Sequence, residues 1–291
     1  MWKLGESLMK TIEAKSLSPI ETNAWLCGGI TPRPIALVST INSEGSRNLA
    51  PFSFFNAFGS NPPTIAFAPN RRGRDGSLKD TYRNIKSTEQ FVVATVSFAM
   101  TEQMNISSAD YPPNFDEFVK SGLTPEKAKM IQPALVKESP FQMECRLNQI
   151  IELGSGPGSG LMIIGEVLCF HIAEDCLLNN LPDPERLDQI GRNGGAYYTR
   201  AHGEALFKVA KPMGEPIGYD ALPDCLKTAT FLTANDLGRL ANSDHKPSFM
   251  GLRSPEDAQM TKPHLEQYIT EAIHNHRLED AWYWIHIYSA E

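Results

Sequence analysis

A mainly β fold, an antiparallel barrel with peripheral helices, is what this sequence predicts. Three observations carry the prediction. At least six strand-like runs lie between residues 35 and 172, among them Ile35–Ile41, which is rich in β-branched residues. Only one segment among them, Ser77 to Lys86, reads as a crossover helix, so the regular strand–helix alternation of a doubly wound sheet is missing. Beyond about residue 173 the strand signal fades, and residues 220–291 have almost none.

Residues 1–30 mix a polar start with Leu17, Ile20, Trp25 and Leu26, and the pair Gly28-Gly29 is expected to break any helix there. Pro32 and Pro34 force an extended chain into a buried strand over Ile35–Ile41. Asn42-Ser43-Glu44-Gly45 is a turn, and Asn48–Phe55 is the second arm of a hairpin. After Asn61-Pro62-Pro63, a third strand spans Thr64–Ala68. The basic loop Arg71–Gly76 leads into the helix, and Phe91–Ser97 is the next strand. Residues 101–138 read as short helices interrupted by Pro112, Pro113, Pro125 and Pro133. Met143–Leu153 and Leu161–Ile172 are long strands flanking a glycine-rich segment, Gly154–Gly160. Asn179–Asp183 is a loop, Glu185–Ile190 a helical turn, and Gly194-Gly195 another break. In the last region the best helix runs from Pro263 to about His276, with Leu265, Tyr268, Ile269, Ala272 and Ile273 on one face. The stretch Leu278–Tyr288 contains Trp282, Trp284 and Ile287.

Composition narrows the function. With 291 residues and 41% hydrophobic content the chain can bury a core unaided. The net charge of −7 argues against nucleic acid and acidic membranes as general partners. No apolar run is long enough for a membrane span, and Met1–Ser7 lacks the charged-then-apolar order of a secretory signal. Five scattered cysteines without a CxxC pair imply a reduced, cytoplasmic setting and no cysteine-based zinc or iron–sulfur site.

Several motifs have both a chemical and a plain structural reading. Gly154–Gly160 lacks the GxGxxG spacing and is followed by a strand, so it reads as a hairpin loop. His274 and His276 are two apart and do not share a helix face, which favours a solvated helix end over a metal pair. His171 closes the strand Gly165–His171 and reads as a structural histidine slightly more readily than as a site residue. The segment Arg71–Asn84 joins a basic loop to a helix start, where Ser77 is placed to cap and Asp80 completes an imperfect capping box. Free N–H groups with Lys and Arg nearby suit a phosphate, and a solvated basic loop explains the same residues equally well. Asn48–Ala57 mixes three phenylalanines with Asn48, Ser53 and Asn56, as a core strand would, or as an apolar slot for a flat heteroaromatic ring would.

Together these residues resemble the flavin reductase-like proteins with an FMN-binding split β-barrel, which include flavoredoxin. The resemblance rests on Thr31–Thr40, Asn48–Asn56, Ser77–Thr81 with Asn84, Glu138-Ser139-Pro140 with Gln142–Cys145, Gly165-Glu166-Val167 with His171, and Gly191-Arg192 with Gly194-Gly195 and Tyr197, in the family's order over about residues 15–210. Asn235–Gly238 resembles the tail of a longer subgroup. The resemblance implies a Greek-key-like split-barrel domain over 1–215 and a helical extension over 216–291, packed on the barrel or the dimer. It implies a homodimer that binds FMN near the subunit interface. Asn48, Leu49, Ala50, Pro51, Phe52 and Ser53 would line the isoalloxazine edge, with Arg33 and Pro34 close to the ring. Arg71, Ser77, Lys79, Asp80, Thr81 and Asn84 would hold the ribityl phosphate. His171, Arg192 and Tyr197 would lie near the flavin or the nicotinamide.

The implied activity is NADH- or NADPH-dependent flavin reduction, with electrons passing on to an oxygenase, free flavin or another acceptor. The chemistry resides on the flavin, so no catalytic triad and no metal are expected; Arg33 and His171 are the candidate assisting groups. Two other readings stay open: a flavoredoxin-type carrier with a protein donor, and a flavin- or tetrapyrrole-binding module without turnover.

Overall fold

The structure is a computed structural model describing residues 9–112, 115–212, 214–247, 249 and 252–290. Met1–Ser7 and Pro113, which the sequence analysis singles out, lie outside the described residues. The run at Ile35–Ile41 is apolar without alternation because its strand is buried on both faces. In β2 (Ala36–Ile41), Ala36 and Val38 point into one core, while Leu37 points into another. Preceding it are α1 (Pro19–Gly29) and β1 (Arg33–Pro34). β3 (Arg47–Phe52), β4 (Phe55–Ser60) and β5 (Pro63–Phe67) follow, then α2 (Asp80–Thr88) and β6 (Gln90–Ala94). α3 (Thr101–Ser107), α4 (Glu117–Ser121) and the minimal strands β7 (Pro125–Glu126) and β8 (Leu135–Val136) precede the long hairpin of β9 (Phe141–Glu152) and β10 (Leu161–Ile172).

Seven strands form one antiparallel sheet in the order β3-β2-β6-β9-β10-β5-β4. Its two outermost strands, β3 and β4, are consecutive in sequence, so the sheet curls round into a barrel. Phe52 of β3 meets Phe67 of β5 with ring centroids 5.4 Å apart, and Phe67 meets Phe91 at 5.6 Å. Inside the barrel are Val38, Phe52, Phe67, Phe91, Met143 and Ile163, closed at one end by Tyr82 and Ile85 of α2. A second core joins Leu37 and Leu49 on the outer face to Met100, Met104 and Phe118 from the α3–α4 region. This matches the mainly β expectation, with Gly154–Gly160 as the hairpin loop between β9 and β10.

Five local expectations are corrected. Gly28-Gly29 does not prevent a helix: α1 forms, and the glycines are its last two residues. Ser18 accepts from the Glu21 N–H while the Glu21 carboxylate accepts from the Ser18 N–H, with Pro19 at the first position. The strand expected over Asn48–Phe55 ends at Phe52, and Phe55 opens β4, a strand the sequence analysis does not identify. The 101–138 region contains the small β7–β8 hairpin besides its helices. Asn179–Asp183 is not plain loop, because β11 (Leu177–Leu178) and β12 (Leu181–Pro182) pair across Asn179 and Asn180, both at positive φ. Ser77 does not cap α2: Lys79 occupies that position without a side-chain cap bond, and Ser77 donates instead to Asp75.

The chain divides into two compact units, Ile12–Phe207 and one that includes Lys208–Glu291. The first also contains α5 (Pro184–Leu187), β13 (Ile190–Arg192) and β14 (Tyr198–Arg200), and β1 pairs with β13. The second is built from α6 (Asp224–Lys227), α7 (Ala234–Ala241), α8 (Lys262–His274) and α9 (Leu278–Tyr288). Leu226, Leu240, Leu265, Ile269, Ile273, Trp282 and Ile285 form its core, which confirms Leu265, Ile269, Ala272 and Ile273 of the stripe read in α8, whereas Tyr268 is exposed and stacks on Trp284. His274 bonds to Asp236, whereas His276 lies past the helix end at φ 57, so the two do not converge.

Candidate functional site

Two adjoining cavities open at the N-terminus of α2. One, of about 390 Å³, is lined by Asn48, Arg72, Arg74, Lys79, Thr81 and Glu117 among others. The second, of about 660 Å³, is lined by Arg33, Phe52, Ser53, Asn70, Arg192 and Tyr198, with Asn23, Ala24 and Cys27 of α1 along one side. Pro51, Lys79 and Ser108 line both. The volumes fall in the range of small-molecule sites. The first cavity is polar and charged, with Arg72, Arg74 and Lys79 alongside Asp80, Asp110 and Glu117. The second combines the apolar surfaces of Pro51 and Phe52 with a few polar groups.

Lys79 stands at the junction. Its ammonium lies 5.0 Å above the Phe52 ring and makes no hydrogen bond or ion pair among the described residues. Burial and the neighbouring Arg72 push it below the ordinary lysine value of 10.5, with Asp110 opposing them. No carboxylate among the described residues lies within ion-pair distance of this ammonium. Arg72 donates through Nε and a terminal nitrogen to one Asp110 oxygen, and Arg74 reaches the other at 2.7 Å. Those bonds hold the Asp110 carboxyl below the usual range. Burial raises the Glu117 carboxyl even though it accepts from the Leu49 N–H at 3.0 Å. Asn48 donates to Thr81 at 3.0 Å, and the buried Asn84 donates to Thr40, which Asn48 also contacts. Asn84 therefore positions Asn48 from below.

In the second cavity Arg33 is 5% exposed and has no carboxylate partner among the described residues. Its guanidinium donates to the carbonyls of Cys27, Ile30 and Asn193 and to Ser53 Oγ. Two of those carbonyls belong to the C-terminal end of α1, so Arg33 both ties that helix down and brings an uncompensated positive charge to the cavity wall. The Oδ1 of Asn70, which also lines this cavity, is buried without a hydrogen-bond partner. Arg192 stacks over the Tyr198 ring at 4.6 Å and donates to its hydroxyl and to the Gly195 carbonyl.

The structure thus brings Arg33, Asn48, Ala50, Pro51, Phe52, Ser53, Lys79, Asp80, Thr81 and Arg192 to the two cavities. It places others elsewhere. Leu49 alternates to the outer core. Pro34 lines a separate apolar cavity with Phe55 and Ile65. Arg71 turns to Glu152 and the Gly76 carbonyl, Ser77 faces Asp75, and Tyr197 is 77% exposed while Tyr198 lines the cavity. His171 bonds to the fully buried Glu144 at 2.7 Å, away from either cavity lining. Burial alone would raise the Glu144 carboxyl, but the N–H groups of Lys129 and Met130 and the His171 ring hold it below its ordinary value. The sequence analysis does not identify Arg72, Arg74, Asp110 and the α1 residues as lining groups. The capping box at Ser18-Pro19-Ile20-Glu21 is the signal that marks α1.

A family model described as a flavin reductase like domain matches residues 28–185. An uncharacterized protein of Aquifex aeolicus is 39% identical over 183 residues, 62% of this chain and 91% of that protein. Among solved structures, nitrilotriacetate monooxygenase component B from Bacillus cereus is 33% identical with a TM-score of 0.65, over 69% of this chain and 98% of that one. The 2-nitrobenzoate 2-nitroreductase of Pseudomonas fluorescens is 28% identical with a TM-score of 0.62, over 70% of this chain and 98% of that one. No helix among the described residues is long and apolar enough to cross a membrane. The matched span contains the whole seven-stranded sheet and most of both cavities, and the chain belongs to the flavin reductase-like family.

Proposed function

We propose that the chain binds FMN and works as an NAD(P)H-dependent flavin reductase that delivers electrons to a separate acceptor. The observation that carries the proposal is Lys79: a desolvated ammonium with no hydrogen bond or ion pair among the described residues, set where a polar, charged cavity meets one with an apolar wall. Lys79, Arg72, Thr81 and Asn48 would hold the phosphate. Pro51 and Phe52 would orient the ring system and keep water from one side, with Asn70 and Ser53 offering polar contacts at its edge. Arg33 would stabilise negative charge on the ring side of the site. When bound, the flavin supplies the hydride acceptor that protein side chains cannot. The open second cavity leaves room for a stacked nicotinamide, which needs positioning and no further acid or base.

The similarity to a monooxygenase component supports an oxygenase as acceptor, and the similarity to a nitroreductase supports a nitroaromatic compound instead. The remaining parts of the proposal are a homodimer, a cytoplasmic location, a site-bearing domain over 1–215 and a helical extension over 216–291. The test is an anaerobic titration of the FMN-loaded protein with NADH and then NADPH. Bleaching of the flavin band within seconds supports the reductase and names the donor. A band that persists with both, yet bleaches with a reduced protein donor, moves the reading to an electron carrier. Persistence under all donors leaves a binding module, and failure to bind FMN overturns the ligand assignment.

A further inference from the structure

The longest hairpin of the barrel brings three metal-type donors together outside the two cavities. The register between β9 and β10 shifts between Val167 and Cys169, so that Cys169 rather than Leu168 faces Glu144. His171, two residues on, lies on the same side of β10 as Cys169. The ligand atoms of Glu144, Cys169 and His171 all fall within 4.8 Å of one another. Glu144 is fully buried, and its carboxylate is fixed by the backbone N–H groups of Lys129, Met130 and Ile131 at 2.7 to 3.1 Å. One lone pair of Oε1 remains for the His171 ring nitrogen 2.7 Å away. A carboxylate locked by backbone donors and aimed at an imidazole is the supported ligand that metal sites use. Tetrahedral zinc separates its N and O ligands by roughly 3.3 Å, so an entering ion replaces the 2.7 Å hydrogen bond between His171 and Glu144 and moves the two groups slightly apart. Cys169 and His171 are partly exposed, which gives an ion an entry path and a water a fourth position.

We propose that Glu144, Cys169 and His171 form a binding site for Zn²⁺, one ion per chain, with water as the fourth ligand. The set combines a soft sulfur, a borderline nitrogen and a hard oxygen, which suits zinc better than calcium or magnesium. Binding releases the thiol proton of Cys169 to solvent and takes His171 as a neutral imidazole with its proton on Nδ1, so that the Zn²⁺ charge balances the thiolate and the carboxylate. Position alone hides the trio in the sequence: Cys169-Phe170-His171 is an unremarkable spacing until Glu144 is paired beside it.

The test uses the full-length chain, chelated and then titrated with Zn²⁺ by calorimetry, with iodoacetamide alkylation of each cysteine read by peptide mass spectrometry. The expected result is stoichiometric binding, with Zn²⁺ slowing alkylation of Cys169 and leaving Cys27 and Cys225 unchanged. Cys169→Ser and His171→Gln remove direct ligands, so each should weaken binding by more than the roughly ten- to a hundredfold that loss of an outer-shell partner costs. Absence of stoichiometric binding, equal affinity in the doubly substituted chain, or unprotected Cys169 overturns the site. Should a variant fail to fold, the alkylation pattern of the unsubstituted chain decides alone.

Discussion

Replacing Lys79 by methionine isolates the phosphate reading from a merely structural one. Methionine keeps most of the stem that packs on Phe52 and removes the charge. Without ligand, the loss of a cation–π contact of about 0.5–1 kcal/mol is offset by a sulfur–aromatic contact of about 0.3–1.5 kcal/mol. The substitution also removes the desolvated ammonium beside Arg72, so the free protein should melt at an unchanged or higher temperature. With ligand, the lost charge-assisted contact is worth about 1.5–3 kcal/mol, or roughly ten- to a hundredfold in affinity. Fluorescence titration should show that loss for FMN and little change for riboflavin, which lacks the phosphate. The pH dependence has a definite sign. Between the lowered Lys79 value and 10.5 the unfolded chain holds one more proton than the folded one, so the free protein gains stability as pH rises through that window. FMN affinity should fall through the same window as the ammonium deprotonates, and both trends should vanish in Lys79→Met. A variant that melts lower yet binds FMN as tightly as before would refute the argument and leave Lys79 a packing residue.

Arg33→Lys should lower stability by about 1–3 kcal/mol in denaturant unfolding, because one ammonium cannot serve three carbonyls and a hydroxyl in four directions. Gly165→Ala places a Cβ 2.4 Å from Cζ of the buried Phe91, so a cost of about 1–3 kcal/mol should appear as a lowered melting temperature. In the C-terminal unit, the hydrogen bond from Tyr283 holds the Asp257 carboxyl below 3.8 against the opposing effect of burial. Its stabilisation is present above 3.8 and lost as pH falls through the folded value. Tyr283→Phe should therefore reduce stability at neutral pH by about 1–3 kcal/mol and flatten the acid dependence of the melt.

The sequence by itself determined six of the seven strands of the main sheet, all but β4, together with the single crossover helix and the helical character of residues 220–291. These are local matters: a β-branched run, a turn residue or a 3.6-residue stripe acts within its own segment. It also made Lys79 and Thr81 candidates for a phosphate contact, since a helix start and its basic flank are contiguous in the chain. Tertiary structure decided which members of each run face the site. Alternation along β3 sends Asn48 and Ala50 to the cavity and Leu49 to the core, and one residue of offset exchanges Tyr197 for Tyr198. It put Arg72 and Arg74 on the cavity wall with their partner Asp110, and turned Arg71 away to Glu152, eighty-one residues along the chain. It set α1 beside the second cavity through Arg33, whose partners Ser53 and Asn193 come from loops that follow β3 and β13. Contacts of that span depend on the closure of the barrel, which brings strands from across the chain side by side, and no short window of sequence contains both ends of such a contact.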